Sequence, residues 1–320
     1  MKKVLYIGES YLEYEKEVKK LIEEKLGYNV IYLDLTKYEY SYKNIFERMY
    51  SKIYFLLTKK NYKKEKMIDN LIKTTKKFEN EIDIIFFIRA TDKLERFIKY
   101  LYSLNKYMIY HQWDSLKKLR DTGNCIKYFN KASTFDKQDA KINNIEYIPN
   151  FYLEKNRLNE DKIEYDLFTI ISHGKNGNRL NILEKIAQKL ENKKIKYKFL
   201  VYTKEKDIIS KNLTIINEPI SLEKNYEFMK KSKIILEIGD NINQGGLTFR
   251  AIDSIGLNKK LITNYKFIEE CDFYDLNNIY ILKEDLEIPM NFFETKYKKL
   301  NKEIYKEYSG ETWIKKIFNY

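Results

Sequence analysis

Short apolar runs alternate with longer amphipathic stretches along the chain. The clearest run, at residues 82–88, reads IDIIFFI. It is short and almost uniformly apolar, which is typical of a strand buried inside a parallel sheet. Comparable runs occupy residues 4–7, 30–33, 167–171 and 234–238. Stretches with helical spacing separate them, so the pattern predicts βαβ units and an α/β fold.

The most informative stretch extends from Ile234 to Asn264. It reads IILEIGDNINQGGLTFRAIDSIGLNKKLITN, which predicts a buried strand, a Gly-Gly turn, a helix and a second strand. Gly245 and Gly246 let a ligand approach the backbone closely, and the amides at a helix start attract an anion. Arg250 adds a planar charge that can grip phosphate oxygens. The stretch predicts a phosphate site; the alternative is a plain βα connection.

The loop after a second predicted strand contains a similar set of residues. The run at 167–171 is followed by SHGKNGNR, which places His173 and Lys175 in a glycine-containing loop and Arg179 at the start of a helix. Such an arrangement again suits an anion. Its glycines match no strict fingerprint, so a plain polar loop is an equal alternative.

Polar side chains also follow two strands of the first half. Arg89 stands at the end of one strand, and the next strand ends in HQWD at residues 111–114. In open α/β sheets this edge faces the ligand crevice. His111 and Asp114 are therefore candidates for a catalytic base. The alternatives are a packed histidine and an aspartate that caps the following helix.

Helical periodicity also marks two basic segments and the C-terminus. Residues 42–57 and 63–78 are predicted to pack with their basic side outward and their apolar side inward. An acceptor-binding or membrane-facing role is the alternative. The segment from Pro289 predicts one long amphipathic helix and a shorter one that contains Trp313.

Length and composition suggest two domains, because the chain has 320 residues and 43% of them are hydrophobic. A polar stretch with weak periodicity follows EYIPNFY and predicts a linker at residues 153–165. The predicted domains are therefore residues 1–152 and 166–288. Helices at 289–320 either fold back onto the N-terminal domain or pack at the end of the second.

Charge and cysteine usage narrow the class of protein. The 60 Lys and Arg against 47 Asp and Glu give a formal net charge of +13, which attracts nucleic acid, anionic lipid or phosphorylated substrates. No helix-turn-helix, RNA-binding aromatic motif or basic tail accompanies it. Cys125 and Cys271 lie far apart, so neither a disulfide framework nor a zinc site is predicted, and the expected compartment is the cytoplasm. No apolar run approaches the ~20 residues that span a bilayer.

Four segments carry a resemblance to a known group of enzymes. They read YHQWDS, ASTFDKQDA, YIPNFY and QGGLTFRAIDSIGLNKKLITN. They resemble bacterial glycosyltransferases of capsule and lipopolysaccharide synthesis, which have the GT-B architecture of two Rossmann-like domains facing a cleft. The similarity extends from the first strand to the strand at Lys260, and GLTFRAID and KKLITN are its most specific parts.

The resemblance implies a nucleotide-sugar donor on the C-terminal domain and an acceptor that approaches from the N-terminal domain. It places the diphosphate near four residues: Gly245, Gly246, Thr248 and Arg250. Asp253 becomes the candidate for the ribose hydroxyls, because a carboxylate can accept two hydrogen bonds. Glu237 is either a donor-sugar contact or only a strand-end residue.

The leading hypothesis is a cytoplasmic glycosyltransferase at the inner face of the cytoplasmic membrane. It would transfer a sugar from a nucleotide donor to a lipopolysaccharide or capsule glycan, with a lipid-linked acceptor and peripheral contact with anionic lipid. No DxD motif is present, and the helix dipole with Arg250 can neutralise a leaving diphosphate, so we predict neither a metal nor a cofactor. The alternatives are a basic nucleic-acid-binding protein and a nucleotide-sugar-binding protein without activity.

Overall fold

The chain folds into two compact units, each built on one sheet. A computed structural model describes residues 1–10, 13–154, 162–173, 178–205, 207–239 and 245–319. The first unit contains Met1–Ile148 and Ile314–Tyr320, and the second contains Pro149–Trp313. Each sheet has six strands, and all paired strands run parallel. The predicted α/β fold with parallel sheets is confirmed.

The sheet of the first unit has the order β2-β1-β3-β4-β5-β6. Its strands are β1 (Lys3–Gly8), β2 (Asn29–Asp34), β3 (Ile84–Ile88), β4 (Tyr107–Gln112), β5 (Lys131–Thr134) and β6 (Glu146–Tyr147). The helices are α1 (Tyr14–Leu26), α2 (Ile45–Thr58), α3 (Tyr62–Thr75), α4 (Glu95–Ser103), α5 (Leu116–Leu119) and α6 (Lys137–Asn143). Every residue of β3 is buried, as expected for a strand inside a sheet covered on both faces.

The sheet of the second unit has the order β12-β11-β10-β7-β8-β9. Its strands are β7 (Tyr165–Ser172), β8 (Tyr197–Tyr202), β9 (Thr214–Ile216), β10 (Ser232–Glu237), β11 (Lys260–Thr263) and β12 (Ile279–Ile281). The helices that begin in it are α7 (Arg179–Asn192), α8 (Leu222–Lys230), α9 (Phe249–Gly256), α10 (Met290–Glu294), α11 (Lys302–Glu307) and α12 (Gly310–Phe318). The first strand of this unit lies between its second and its fourth, which is the strand order of Rossmann domains.

The predicted long helix after Pro289 is wrong, because the segment between α10 and α11 is held in an extended path by tertiary hydrogen bonds. Asn278 donates to the carbonyl of Lys298 at 2.7 Å and accepts from its amide at 2.9 Å. Lys260 reaches the carbonyl of Phe292 at 2.6 Å. These bonds take backbone groups that a continuous helix would use, so helix forms only on either side.

The predicted inward apolar side of α2 is also wrong. Its only buried residue is Ser51, and eight of its large apolar side chains are exposed. α3 follows the prediction better, since Ile68 and Leu71 are buried in the first core. Among the helices of the described residues, none combines the length and the apolar character that a bilayer span requires.

Candidate functional site

The second sheet has its switch point between β7 and β10. β7 pairs with β8 on one side and β10 on the other. Ligands of open α/β sheets bind outside the carboxyl ends of the strands at such a point. The two strands end at Ser172 and Glu237. The next helices, α7 and α9, begin at Arg179 and Phe249, so both helix starts follow this edge of the sheet.

Thr248 fixes the start of α9. Its side chain accepts a hydrogen bond from the amide of Ala251 at 3.5 Å, and its hydroxyl donates to Oε1 of Glu237. Gly245 and Gly246 come just before it and are buried. A helix start directs its first-turn amides outward along the axis and carries the positive end of the dipole. This end of α9 is therefore suited to an anion.

Glu237 is the buried acid beside this helix start. Only 2% of its surface is exposed, and burial raises the pKa of its carboxyl. Arg250, the hydrogen bond from Thr248 and Arg179 act in the opposite direction. Its Oε2 has no hydrogen-bond partner within the described part of the chain. Buried acceptors without a donor are uncommon, so a ligand hydroxyl would complete this group.

Two arginines bring positive charge to Glu237 from different helices. Arg179 donates from Nη2 to the carbonyl of Ser172 at 2.7 Å, which holds its guanidinium at the end of β7. Arg250, in the first turn of α9, is half-buried. The positive charges of both arginines lower the pKa of the Glu237 carboxyl. Two guanidinium groups beside one carboxyl leave a positive balance that favours a phosphate.

His173 makes its contacts away from this cluster. Lys175 lies outside the described residues. The amide of His173 donates to the carbonyl of Tyr202 at 2.8 Å, and its Nε2 lies 4.0 Å from Glu205. These contacts belong to the β8 side of the sheet. A donor-binding role for His173 stays a prediction.

Asp253 lies inside the second unit. It is 1% exposed, and its carboxylate accepts a hydrogen bond from the hydroxyl of Tyr226 in α8. A ribose would have to reach a carboxylate that the helix buries. The geometry therefore favours a structural role for Asp253, and its ribose role stays a prediction.

The ends of β10 and β11 form a clamp that sequence reasoning missed. Asn264 accepts from the amide of Gly239 at 2.9 Å and donates to its carbonyl at 3.0 Å. Tyr265 is 4% exposed and packs so closely that a Cβ on Gly239 would lie 1.9 Å from its hydroxyl oxygen. The clamp fixes the backbone two residues beyond Glu237. The sequence shows Asn264 only as the start of a loop.

The first sheet carries its own charged cluster at the carboxyl ends of β1, β3 and β4. Arg89 follows β3 with a φ of 60°, which is uncommon for a residue with a side chain. Its Nη1 lies 2.7 Å from Oε2 of Glu9, and its Nε lies 3.1 Å from Oδ2 of Asp114. Lys118 contacts Asp114 at 2.8 Å. Arg89 and Asp114 were noticed in the sequence, but Glu9 was missed because its partners are far away along the chain.

His111 is placed in the core of the first unit. It is 0% exposed, and its Nδ1 lies 2.9 Å from Oγ of Ser133. Burial, with a smaller effect of Lys131, lowers its pKa to about 3. A general base must reach the proton that it removes. Burial therefore favours a packing role for His111; its catalytic role stays a prediction, and Asp114 is the more accessible candidate.

The buried His111 predicts an acid-sensitive fold. Its pKa falls from 6.5 when unfolded to about 3 when folded, so only the unfolded state binds this proton between those values. The contribution of His111 to the free energy of unfolding should fall by about 1.4 kcal/mol per pH unit as the pH drops from 6 to 4. Urea titrations should show that His111→Gln reduces this slope. The same substitution at His173 is the control, and an unchanged slope in the His111 variant would contradict the assignment.

Known structures resemble the chain over its whole length, although no protein-family model and no curated protein matches it. A UDP-GlcNAc 2-epimerase of Methanocaldococcus jannaschii, solved with UDP-GlcNAc and UDP, has a TM-score of 0.59 at 14% identity and covers 100% of this chain and 99% of its own. Trehalose-6-phosphate synthase gives 0.61 at 8%, with 99% and 98% covered. An α-glucosyltransferase in complex with UDP and DNA gives 0.59 at 13%, with 100% and 94% covered. The chain has the GT-B fold.

The GT-B fold confirms the predicted pair of Rossmann-like domains. At these identities the likeness concerns the fold alone. Glycosyltransferases and an epimerase share it, and one fold hosts several reactions. The residues of the site, not the fold, therefore decide which reaction this GT-B protein performs.

Proposed function

We propose that the protein is a glycosyltransferase whose second domain binds a nucleotide-sugar donor at the edge formed by β7 and β10. One observation carries the proposal: the start of α9, Arg179, Arg250 and Glu237 all belong to the switch point of the second sheet, and Oε2 of Glu237 has no hydrogen-bond partner among the described residues. This is where open α/β sheets bind ligands.

The proposed roles follow from charge and hydrogen-bonding capacity. Arg250 and the first-turn amides of α9 bind the diphosphate, and Arg179 adds a second cation. These groups stabilise the negative charge that grows on the leaving diphosphate. Oε2 of Glu237 accepts a hydroxyl of the donor. On the first domain, Asp114 is the proposed base for the acceptor hydroxyl.

The proposed acceptor is a lipid-linked glycan of lipopolysaccharide or capsule. The resemblance of QGGLTFRAIDSIGLNKKLITN to transferases of that class supports it. The described residues contain no group of three or more His, Cys, Asp or Glu placed to hold a metal. Metal independence remains a separate prediction.

A thermal-shift panel of nucleoside diphosphates and nucleotide sugars tests the donor site. A ligand at about 100 times its Kd adds about 2.7 kcal/mol to the stability of the native state. We expect at least one nucleoside diphosphate to raise the melting temperature by several degrees, with the same shift in EDTA and in Mg²⁺. Orthophosphate at equal concentration is the control for a nonspecific anion effect.

The outcomes separate the competing functions. If no nucleotide changes the melting temperature, the donor site is wrong. A nucleotide sugar that binds and is epimerised without an acceptor identifies an epimerase. Binding without turnover, assayed with lipid-linked glycan acceptors, identifies a binding protein. A salt-sensitive mobility shift of DNA or RNA supports nucleic-acid binding instead.

A further inference from the structure

One face of α2 is apolar and open to solvent. Eight of the sixteen exposed large apolar side chains in the described residues lie on this single helix. Seven of them follow helical spacing along one side, which we call the α2 face: Ile45, Phe46, Met49, Tyr50, Ile53, Leu56 and Leu57. Phe46 and Leu57 are 76% and 79% exposed. Contiguous exposed apolar surface of this kind marks an interaction site.

The inward side of α2 is polar and held in place. Ser51 is buried and its hydroxyl donates to Tyr42 Oη at 2.8 Å. Glu47 accepts from the hydroxyls of Tyr40 and Tyr62 and from the amide of Lys43. The helix is therefore fixed with its apolar side outward, the reverse of a helix that packs on a core.

Positive charge surrounds the α2 face. Residues 43–66 contain eight Lys and Arg and two Glu. Both acids are already engaged: Glu47 as above, and Glu65 at 3.2 Å from Arg96 of α4. The basic side chains beside the face therefore outnumber the acidic ones, and their positive charge is available to an external partner.

We propose that the α2 face docks on the surface of an anionic lipid bilayer. Apolar side chains enter the boundary between headgroups and acyl chains while neighbouring lysines contact anionic headgroups, as interfacial helices do. A second copy of the chain is disfavoured because a symmetric contact would bring the same basic residues together. Nucleic acid would leave the apolar side chains exposed.

Vesicle sedimentation of the full chain without nucleotide tests the proposal. The probes are vesicles of phosphatidylcholine alone and of phosphatidylcholine with about one-third phosphatidylglycerol. We expect binding to the anionic vesicles, at least about tenfold weaker binding to the neutral ones, and loss of this difference when salt shortens the Debye length to a few Å.

Matched serine variants test whether the α2 face is the surface that binds the vesicles. Phe46→Ser, Leu56→Ser and Leu57→Ser together should weaken vesicle binding by about 1,000-fold, because each buried side chain contributes about one factor of ten. The control triple, Ile142→Ser, Ile209→Ser and Leu276→Ser, changes side chains that are 78%, 91% and 76% exposed elsewhere. It should bind like the native chain.

Two triple variants with the same change in net charge test whether the lysines beside the α2 face bind anionic lipid. Lys52→Glu, Lys59→Glu and Lys60→Glu should abolish the preference for anionic vesicles. Lys141→Glu, Lys185→Glu and Lys211→Glu make the same change of net charge at exposed positions elsewhere and should keep the preference.

Three results would overturn the proposal. One is the absence of vesicle binding by the native chain. Another is equal binding by both serine triples. The third is a concentration-dependent dimer that the α2 serine triple dissociates, without vesicle binding, which would assign the face to a second copy. None of them affects the nucleotide panel, so this inference and the proposed function can fail separately.

Discussion

Gly239→Ala is expected to destabilise the second domain by about 3 kcal/mol or more, the upper part of the range for overpacked cores. The new Cβ would lie 1.9 Å from Oη and 2.1 Å from Cζ of Tyr265. The ring is buried, and Asn264 holds both the amide and the carbonyl of Gly239. The Gly239 backbone cannot move away from the Tyr265 ring without breaking these two hydrogen bonds. Urea unfolding followed by circular dichroism measures the loss.

Gly8→Ala is the matched control for this change. Gly8 is the last residue of a parallel strand, whereas Gly239 lies two residues after one, and a Cβ on Gly8 would meet its nearest neighbour at 3.7 Å, an ordinary contact. Its effect should stay within about 1 kcal/mol. Combining Gly239→Ala with Tyr265→Ala should cost less than the sum of the single changes, because the second change removes the clash. If Gly239→Ala is as stable as the native protein, the Gly239 backbone and the Tyr265 ring can move apart, and the clamp does not hold them in place.

The fold could be predicted because its signal is local. β3 and residues 234–236 of β10 are apolar and fully buried, and such runs predict inner strands without tertiary information. α9 could be expected from the Gly-Gly turn and the apolar spacing after it. The predicted orientation of α2 was wrong, because periodicity separates the two sides of a helix but does not say which side faces the protein.

The candidate site could be predicted only in part. Arg179 and Arg250 stand out because each follows a strand and starts a helix. The clamp could not be predicted, since Gly239 and Asn264 meet only through the pairing of β10 with β11. The burial of Asp253 could not be predicted either. Helical spacing puts it near Arg250, but only its contact with Tyr226 shows that its carboxylate lies inside the second unit.

Arg250→Ala should abolish donor binding while leaving the fold intact. A bidentate guanidinium contact to a diphosphate contributes about 3 kcal/mol or more, so the Kd of the nucleotide identified in the thermal-shift panel should rise at least about 100-fold. Arg250 is half-buried and its charge acts on Glu237; that carboxyl can bind a proton when the charge is removed, so the melting temperature without ligand should change little. Calorimetric titration measures the affinity.

Two further variants separate charge from geometry. Arg250→Lys keeps the charge but loses the planar pair of donors, so its affinity should lie between those of the alanine variant and the native protein. Arg48→Ala removes the same charge from an exposed position on α2 and should leave nucleotide affinity unchanged. If Arg250→Ala binds and transfers like the native protein, Arg250 has no part in the mechanism. The positive balance at the end of β10 would then depend on Arg179 and the amides of α9, and Arg179→Ala would be the decisive variant.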